Sequence, residues 1–120
     1  SQSDVIDRVN TVKKLAAAAR VADPPPDIIV NYSALVLTLP FYLGRPVTIA
    51  SYKGELAMGS KYDDAREIFM DEEEFFRLIG SERKVLFVTK LKRIDNLEKR
   101  FPGRIRTRIC QNDRCLLSNY

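Results

Sequence analysis

Four groups of residues in this chain have the types and spacing to do chemistry. Asp63-Asp64 and Glu72-Glu73-Glu74 offer paired carboxylates, Cys110 and Cys115 offer two thiols, and Arg104, Arg106 and Arg108 offer cations at alternate positions. Neighbouring carboxylates serve acid–base catalysis when a cleft holds two of them with separated pKa values. Consecutive glutamates on the first turn of a helix point in different directions, and there they offset the positive end of the helix dipole instead. The chain has no histidine. It therefore lacks the commonest general base and the commonest zinc ligand, and Ser-His or Cys-His nucleophile pairs are excluded. Two cysteines without histidine or a second cysteine pair make a poor metal site. Neither G-x-G-x-x-G nor G-x-x-x-x-G-K-[ST] occurs, and Asn31-Tyr32-Ser33-Ala34, after the first expected strand, contains no glycine. A dinucleotide site is therefore not expected, and neither is any cofactor in this chain.

The cysteines and arginines belong to one expected hairpin. With Asn112-Asp113 as a two-residue turn, Gln111 faces Arg114 and Cys110 faces Cys115. The second pair outward is a non-hydrogen-bonded pair, whose side chains lie closest, so Cys110 and Cys115 can accept a disulfide in an oxidising compartment. The other reading is two reduced cysteines, packed or partly exposed. Residues 104–111 alternate, with Ile105, Thr107 and Ile109 on one face and Arg104, Arg106 and Arg108 on the other. That pattern is a half-exposed strand. Its arginine stripe has the chemistry to bind the phosphate of an anionic lipid head group, and it equally serves to protect an edge strand from aggregation by charge.

The hairpin sits in a chain of segregated charge. The net charge of the 120 residues is +4. Residues 62–82 carry eight acids and two bases, whereas residues 83–114 carry eleven bases and three acids. Such segregation orients a domain toward an anionic partner, or neutralises itself within the fold. The basic segment lacks a recognisable nucleic-acid module and aromatic interleaving, so nucleic acid is not an expected partner. Ser1-Gln2-Ser3-Asp4 carries neither a basic start nor an apolar run, and no apolar stretch approaches the roughly 20 residues that cross a bilayer. Either the protein is cytoplasmic or its targeting and anchoring parts lie elsewhere.

The elements that must position these groups are legible as periodicities. Val5, Val9, Val12, Leu15, Ala16 and Ala19 form the apolar stripe of a helix over residues 4–20, with Ser3 as its N-cap. Asp23-Pro24-Pro25-Pro26 stops it. Residues 27–31 read as a buried strand. Ser33 caps a helix that runs through Leu35, Val36 and Leu39, is disturbed at Pro40, and ends at Gly44. Residues 47–50 form a second strand, and residues 53–68 an undefined connection. Asp71 caps a helix that buries Phe75, Phe76, Leu78 and Ile79. Residues 84–89 form the central strand, with Val85 and Phe87 against Ile29, Ile49 and Phe75. A helix ending at Phe101 and the arginine hairpin complete the order. Alternating helices and buried strands imply an α/β fold: three layers, a mostly parallel sheet with helices on both faces, and a C-terminal antiparallel hairpin.

Leu39-Pro40-Phe41-Tyr42-Leu43-Gly44-Arg45-Pro46-Val47, followed by Gly54-Glu55-Leu56 and Met58-Gly59, carries a resemblance. Together with the opening Asp7-Arg8-Val9-Asn10-Thr11-Val12-Lys13, the strand Val85-Leu86-Phe87-Val88 and the closing Leu116-Leu117-Ser118-Asn119, it is similar to the soluble tail of bacterial membrane glycosyltransferases of the GT-C superfamily. The similar group is the aminoarabinose-transferase and dolichyl-phosphate-mannose-protein mannosyltransferase-like enzymes. The resemblance implies a periplasmic α/β domain after a multispanning catalytic region, on the periplasmic side of the inner membrane. It also implies a parent enzyme that moves a sugar from a polyprenyl-phosphate carrier to lipid A, another glycolipid or a protein. The family's catalytic acid lies near the first membrane spans, so no residue here inherits a catalytic role. The expectation is a single soluble domain, residues 1–120, excised from a larger membrane protein and not catalytic alone. Its partners would be the transmembrane catalytic region of the same chain and anionic lipid head groups. The competing reading is a free-standing cytoplasmic α/β ligand-binding or regulatory domain.

Overall fold

The computed structural model describes residues 2–33, 43–50 and 67–120. Helix α1 (Gln2–Arg20) opens it, with Asp4 in its first turn and Arg20 in its last, as the helix dipole favours. The chain then passes the prolines, with a cis bond between Asp23 and Pro24, into β1 (Ile28–Tyr32). Strands β2 (Val47–Ala50) and β3 (Glu67–Met70) follow. Helix α2 (Glu72–Ile79) leads into β4 (Val85–Lys90). A 3₁₀ turn, Leu91–Arg93, runs directly into α3 (Ile94–Arg100). The hairpin of β5 (Arg106–Gln111) and β6 (Arg114–Ser118) closes the chain.

The six strands form one sheet in the order β3-β2-β1-β4-β6-β5. The first four are parallel, and β6 and β5 add an antiparallel hairpin to β4. Val85, Leu86, Phe87, Val88 and Thr89 of β4 are all fully buried. A strand buried on both faces has no room for polar alternation, which is why this run is continuously apolar up to its last buried residue. One face packs Ile29, Val47, Leu86, Val88 and Leu116 against Val12, Leu15, Ala16 and Ala19 of α1. The other packs Val30, Val85, Phe87 and Leu117 against Phe75 and Ile79 of α2 and Ile94 and Leu97 of α3. The architecture is the expected three-layer α/β arrangement.

Several local expectations hold for the reasons given. Asp71 caps α2, its Oδ1 accepting the Glu74 N–H at 2.8 Å. Leu43 is helical and Gly44 beyond it takes φ +68°, the left-handed terminator. Residues 34–42, with the Leu39–Tyr42 part of the resemblance block, and residues 51–66, with Gly54, Met58 and the Asp63-Asp64 pair, lie outside the described residues.

Four expectations need correction. Helix α1 already includes Gln2, so Ser3 is inside it and not its N-cap. Val5 and Val9 are exposed, because burial begins only at Thr11. The undefined connection over 53–68 gives way at its end to the edge strand β3, residues 67–70, paired in parallel with β2. A four-residue edge strand is too short to show a periodicity. Finally, Ile29 does not pack on Phe87. It aligns with Leu86 and belongs to the α1 face, since adjacent residues of a strand point to opposite sides. Ile49 is only half-buried. Phe87 instead meets the Phe75 ring edge-on, with centroids 5.3 Å apart.

Phe87→Ala should therefore destabilise the fold by about 3–5 kcal/mol through the cavity it leaves. Val5→Ala, at an exposed helical position, should lie within about 0.5 kcal/mol of wild type. Chemical denaturation of the two variants measures both.

Candidate functional site

The arginine hairpin is the part of the chain with the clearest chemical potential, and its geometry depends on one irregularity. Arg106 pairs with Ser118 and Thr107 with Leu117, but the next partner of Leu116 is Ile109. Arg108 is the extra residue of a β-bulge, which reverses the side-chain phase along β5. Arg104 lies before the strand begins. The alternation expected from the sequence is thus broken: Ile105 joins the α2–α3 face and Ile109 the α1 face, Arg106 and Arg108 both lie by Ser118, and Arg104 is bonded at the end of α2.

Each arginine has a different place. Arg104 donates from Nε to the Ile79 carbonyl at 2.8 Å and from Nη2 to the Ser81 carbonyl, at the C-terminal end of α2. The guanidinium satisfies carbonyls that the helix end leaves without partners. Arg108 donates from Nε to Ser118 Oγ at 2.9 Å and from Nη2 to the Tyr120 carbonyl at 3.2 Å, and lies 4.9 Å from the Tyr120 ring centroid. Arg106 is exposed. Two of the three cations thus hold the fold together, Arg104 while still exposed and Arg108 half-buried.

Asn119, read from the sequence only as the last residue of the closing block, completes the work of Arg104. Its Nδ2 donates to the carbonyls of Ile79 at 3.1 Å and Arg83 at 2.9 Å, while its Oδ1 accepts the Val85 N–H at 2.8 Å. A single asparagine beside a chain end has no periodicity, so only the fold reveals that it joins α2 to the start of β4. Tyr120 closes the same end, its hydroxyl donating to the Pro24 carbonyl at 2.8 Å. Burial pushes the Tyr120 phenol above its ordinary value. Asp27 and Asp23 push the same way, and Arg108 opposes them.

The hairpin register is the expected one. Gln111 aligns with Arg114 and Cys110 with Cys115. Asn112 takes φ +57°, a conformation asparagine tolerates. The Cys110 and Cys115 Cα atoms are 4.1 Å apart, and the two cysteines form a disulfide. The turn also docks onto α1, where Asn112 Nδ2 donates to Thr11 Oγ1 at 2.7 Å.

The C-terminal ends of the central strands carry a second polar group. Tyr32 is buried, and its hydroxyl donates to Glu72 Oε2 at 2.6 Å. Its ring stacks on Phe75 with centroids 4.5 Å apart, and the Arg93 guanidinium lies 5.8 Å from its centre. Thr89 Oγ1 donates to the Tyr32 carbonyl at 3.0 Å. Glu72 is thus engaged by one tyrosine, while Glu73 and Glu74 are exposed on the first turn of α2. That arrangement serves the helix dipole and not a catalytic carboxylate pair. Among the described residues, no group of three or more Cys, Asp and Glu side chains is placed to hold a metal ion. No described helix is long and apolar enough to cross a membrane.

With this geometry in hand, the comparisons with known proteins are specific. A family model described as the aminoarabinose transferase C-terminal domain matches residues 15–116. The chain belongs to that family. The same residues contain the central strand, both halves of the disulfide and the buried Leu15, Ala16 and Ala19 of α1. Two solved structures share the family domain's fold with this chain. ArnT from Cupriavidus metallidurans bound to undecaprenyl phosphate superposes with a TM-score of 0.65 at 18% identity, over 92% of this chain and 20% of that protein. The apo state of ArnT gives 0.63 at 19% identity, with the same coverage of 92% and 20%. At such identities the likeness is one of fold. The aminoarabinose transferase C-terminal domain seen here spans about a fifth of the length of these relatives. None of the curated proteins matches the sequence.

Two measurements check the geometry. Arg104→Ala should cost about 1 kcal/mol by uncapping α2, whereas Arg106→Ala should be neutral within about 0.5 kcal/mol. Equal effects in denaturant unfolding would contradict the different places of the two residues. Because the folded state holds the Tyr120 phenol protonated to higher pH than the unfolded chain does, stability should fall as pH rises through and above the ordinary tyrosine value near 10. Tyr120→Phe should flatten that decline in an alkaline melting series.

Proposed function

We propose that this chain is the extracytoplasmic accessory domain of a membrane glycosyltransferase that uses a polyprenyl-phosphate sugar donor, and that it helps to position the acceptor or a lipid head group. The observation that carries this reading is the family match over residues 15–116. The superposition on ArnT, whose structure was solved with undecaprenyl phosphate, supports the donor class. The Cys110–Cys115 disulfide supports the periplasmic side, since such bonds persist in oxidising compartments and are kept reduced in the cytoplasm. The chemistry would then be performed by the rest of the enzyme, with this domain acting on binding.

The arginines contribute less to this reading than their spacing implies. Arg104 and Arg108 are engaged by backbone carbonyls. A head-group contact by the trio would therefore fall to Arg106, and one exposed cation in water contributes at most about 1 kcal/mol.

Deleting the domain from the full-length enzyme should abolish or strongly reduce sugar transfer in a membrane assay, and the 120-residue chain alone should show none. Undiminished transfer by the truncated enzyme would remove the accessory role. The compartment is tested separately. After mild reduction of intact cells, a membrane-impermeant thiol reagent should label the full-length protein more than its Cys110→Ser/Cys115→Ser variant. Equal labelling until the membrane is permeabilised would place the domain on the other side.

A further inference from the structure

The disulfide joins two sulfurs in unlike surroundings. Cys110 stands on β5, the last strand of the sheet, and is exposed. Cys115 stands on β6, between β5 and β4, and is fully buried. Its partners in the two strand pairs are Cys110 on one side and Thr89 on the other, and Thr89 is itself fully buried. Cys115 belongs to the core on the α2–α3 face, with Phe87, Ile94 and Leu117. The bond therefore runs outward, from the core to the rim of the sheet.

This asymmetry does not depend on the bond. β6 pairs with β4 from Leu86 opposite Ser118 to Lys90 opposite Arg114. The turn between the cysteines has two ties of its own. Asn112 Nδ2 donates to Thr11 Oγ1 at 2.7 Å, and the Leu91 N–H donates to the Asp113 carbonyl at 3.0 Å. The cysteines are five positions apart, and a bond that closes so short a loop removes little entropy from the unfolded chain. With the bond open, these contacts still hold Cys115 inside and leave Cys110 at the edge.

Disulfides form and break by attack of a thiolate on a disulfide sulfur, through a mixed disulfide, and access decides which sulfur takes part. Buried structural cysteines are inert, whereas partly exposed ones react. We propose that Cys110 is the exchange site of this domain, the sulfur that forms the mixed disulfide with an external disulfide oxidant, and that Cys115 is the resolving sulfur. In the first step the Cys110 thiolate attacks one sulfur of the oxidant. A bond from Cys110 Sγ to that sulfur forms, the oxidant's own S–S bond breaks, and its other sulfur leaves as a thiolate. In the second step the Cys115 thiolate attacks Cys110 Sγ and expels the oxidant's first sulfur. The hairpin register prepares this step by holding the two Cα atoms 4.1 Å apart. The two protons lost by the cysteines pass to the two thiolates released, and the two electrons reduce the oxidant to a pair of thiols. An external dithiol opens the bond by the reverse path, entering at Cys110 with Cys115 as the leaving sulfur. The polarity belongs to the hairpin and holds whichever side of a membrane the domain faces, so it is independent of the role in sugar transfer.

The test starts from the reduced 120-residue chain. Its only two cysteines are separated by Arg114, so trypsin leaves Cys110 in the peptide 109–114 and Cys115 in the peptide 115–120. A brief pulse of iodoacetamide, quenched and mapped by mass spectrometry, should alkylate Cys110 at least about tenfold faster than Cys115. In guanidinium chloride the two rates should agree within about threefold, because the fold sets the difference. Exchange itself is read in the single variants with glutathione disulfide as the oxidant. Cys115→Ser, which keeps Cys110, should accumulate the glutathione mixed disulfide at least about tenfold faster than Cys110→Ser. A cooperative melt by circular dichroism establishes that each reduced chain is folded, and if a serine variant lacks one, the wild-type pulse decides alone. Equal rates in the folded chains, faster reaction of Cys115, or a difference that persists in denaturant overturns the proposal. So does a reduced wild-type chain without a cooperative melt. If Cys110 reacts first while deletion of the domain leaves sugar transfer intact, the accessory role fails and the exchange site stands.

Discussion

The constraint on which the rest of this structure depends is the double burial of β4. Five consecutive residues, from Val85 to Thr89, are excluded from water on both sides of the sheet. Burying alternate side chains in opposite directions requires a helical layer on each face, and the chain supplies α1 on one and α2 with α3 on the other. Two strands must also satisfy its backbone. β1 does so in parallel and β6 in antiparallel fashion. The one buried hydroxyl of the run, on Thr89, is satisfied by the Tyr32 carbonyl. The order of the sheet follows from serving this strand: parallel neighbours on one side, a local hairpin on the other.

The hairpin is where fold and chemistry compete for the same residues. A basic strand at the edge of a sheet discourages further strands from adding to it, and the disulfide and bulge distinguish this edge from a regular one. The bulge diverts Arg108 toward the chain end, and Arg104 is drawn to the end of α2. Cations that would be mobile ligands on a regular strand become fasteners between elements remote in sequence. Among the described residues the ion pair is the adjacent Arg114 and Asp113, 2.7 Å apart. What the acids of α2 meet is a helix dipole and, for Glu72, the Tyr32 hydroxyl.

Membership of the aminoarabinose transferase C-terminal domain family rests on residues 15–116. The described residues show stacked aromatics, capped helices and a tied hairpin, all of which make a rigid platform. The start of α1 is the exception, since its aliphatic residues are exposed.

The sequence by itself determined the fold class, the central strand, the cap at Asp71, the turn at Asn112-Asp113 and the pairing of Cys110 with Cys115. All of these are local: a continuous apolar run, a side chain that bonds three residues on, a two-residue loop that fixes its own register. The family was legible for a similar reason, in short blocks of residues spread along the chain. Tertiary structure alone decided three things. It made residues 67–70 a strand, because only pairing with β2 gives so short an edge its identity. It ended the burial of α1 at Thr11 although the apolar stripe continues to Val5, because the sheet beneath the helix ends there and sequence periodicity carries no information on where a partner surface stops. And it separated Arg104, held at the end of α2, from Arg106 and Arg108, which both lie by Ser118, while one inserted residue in β5 moved Ile109 to the face opposite Ile105, because a bulge is set by the partner strand and not by the alternation it interrupts.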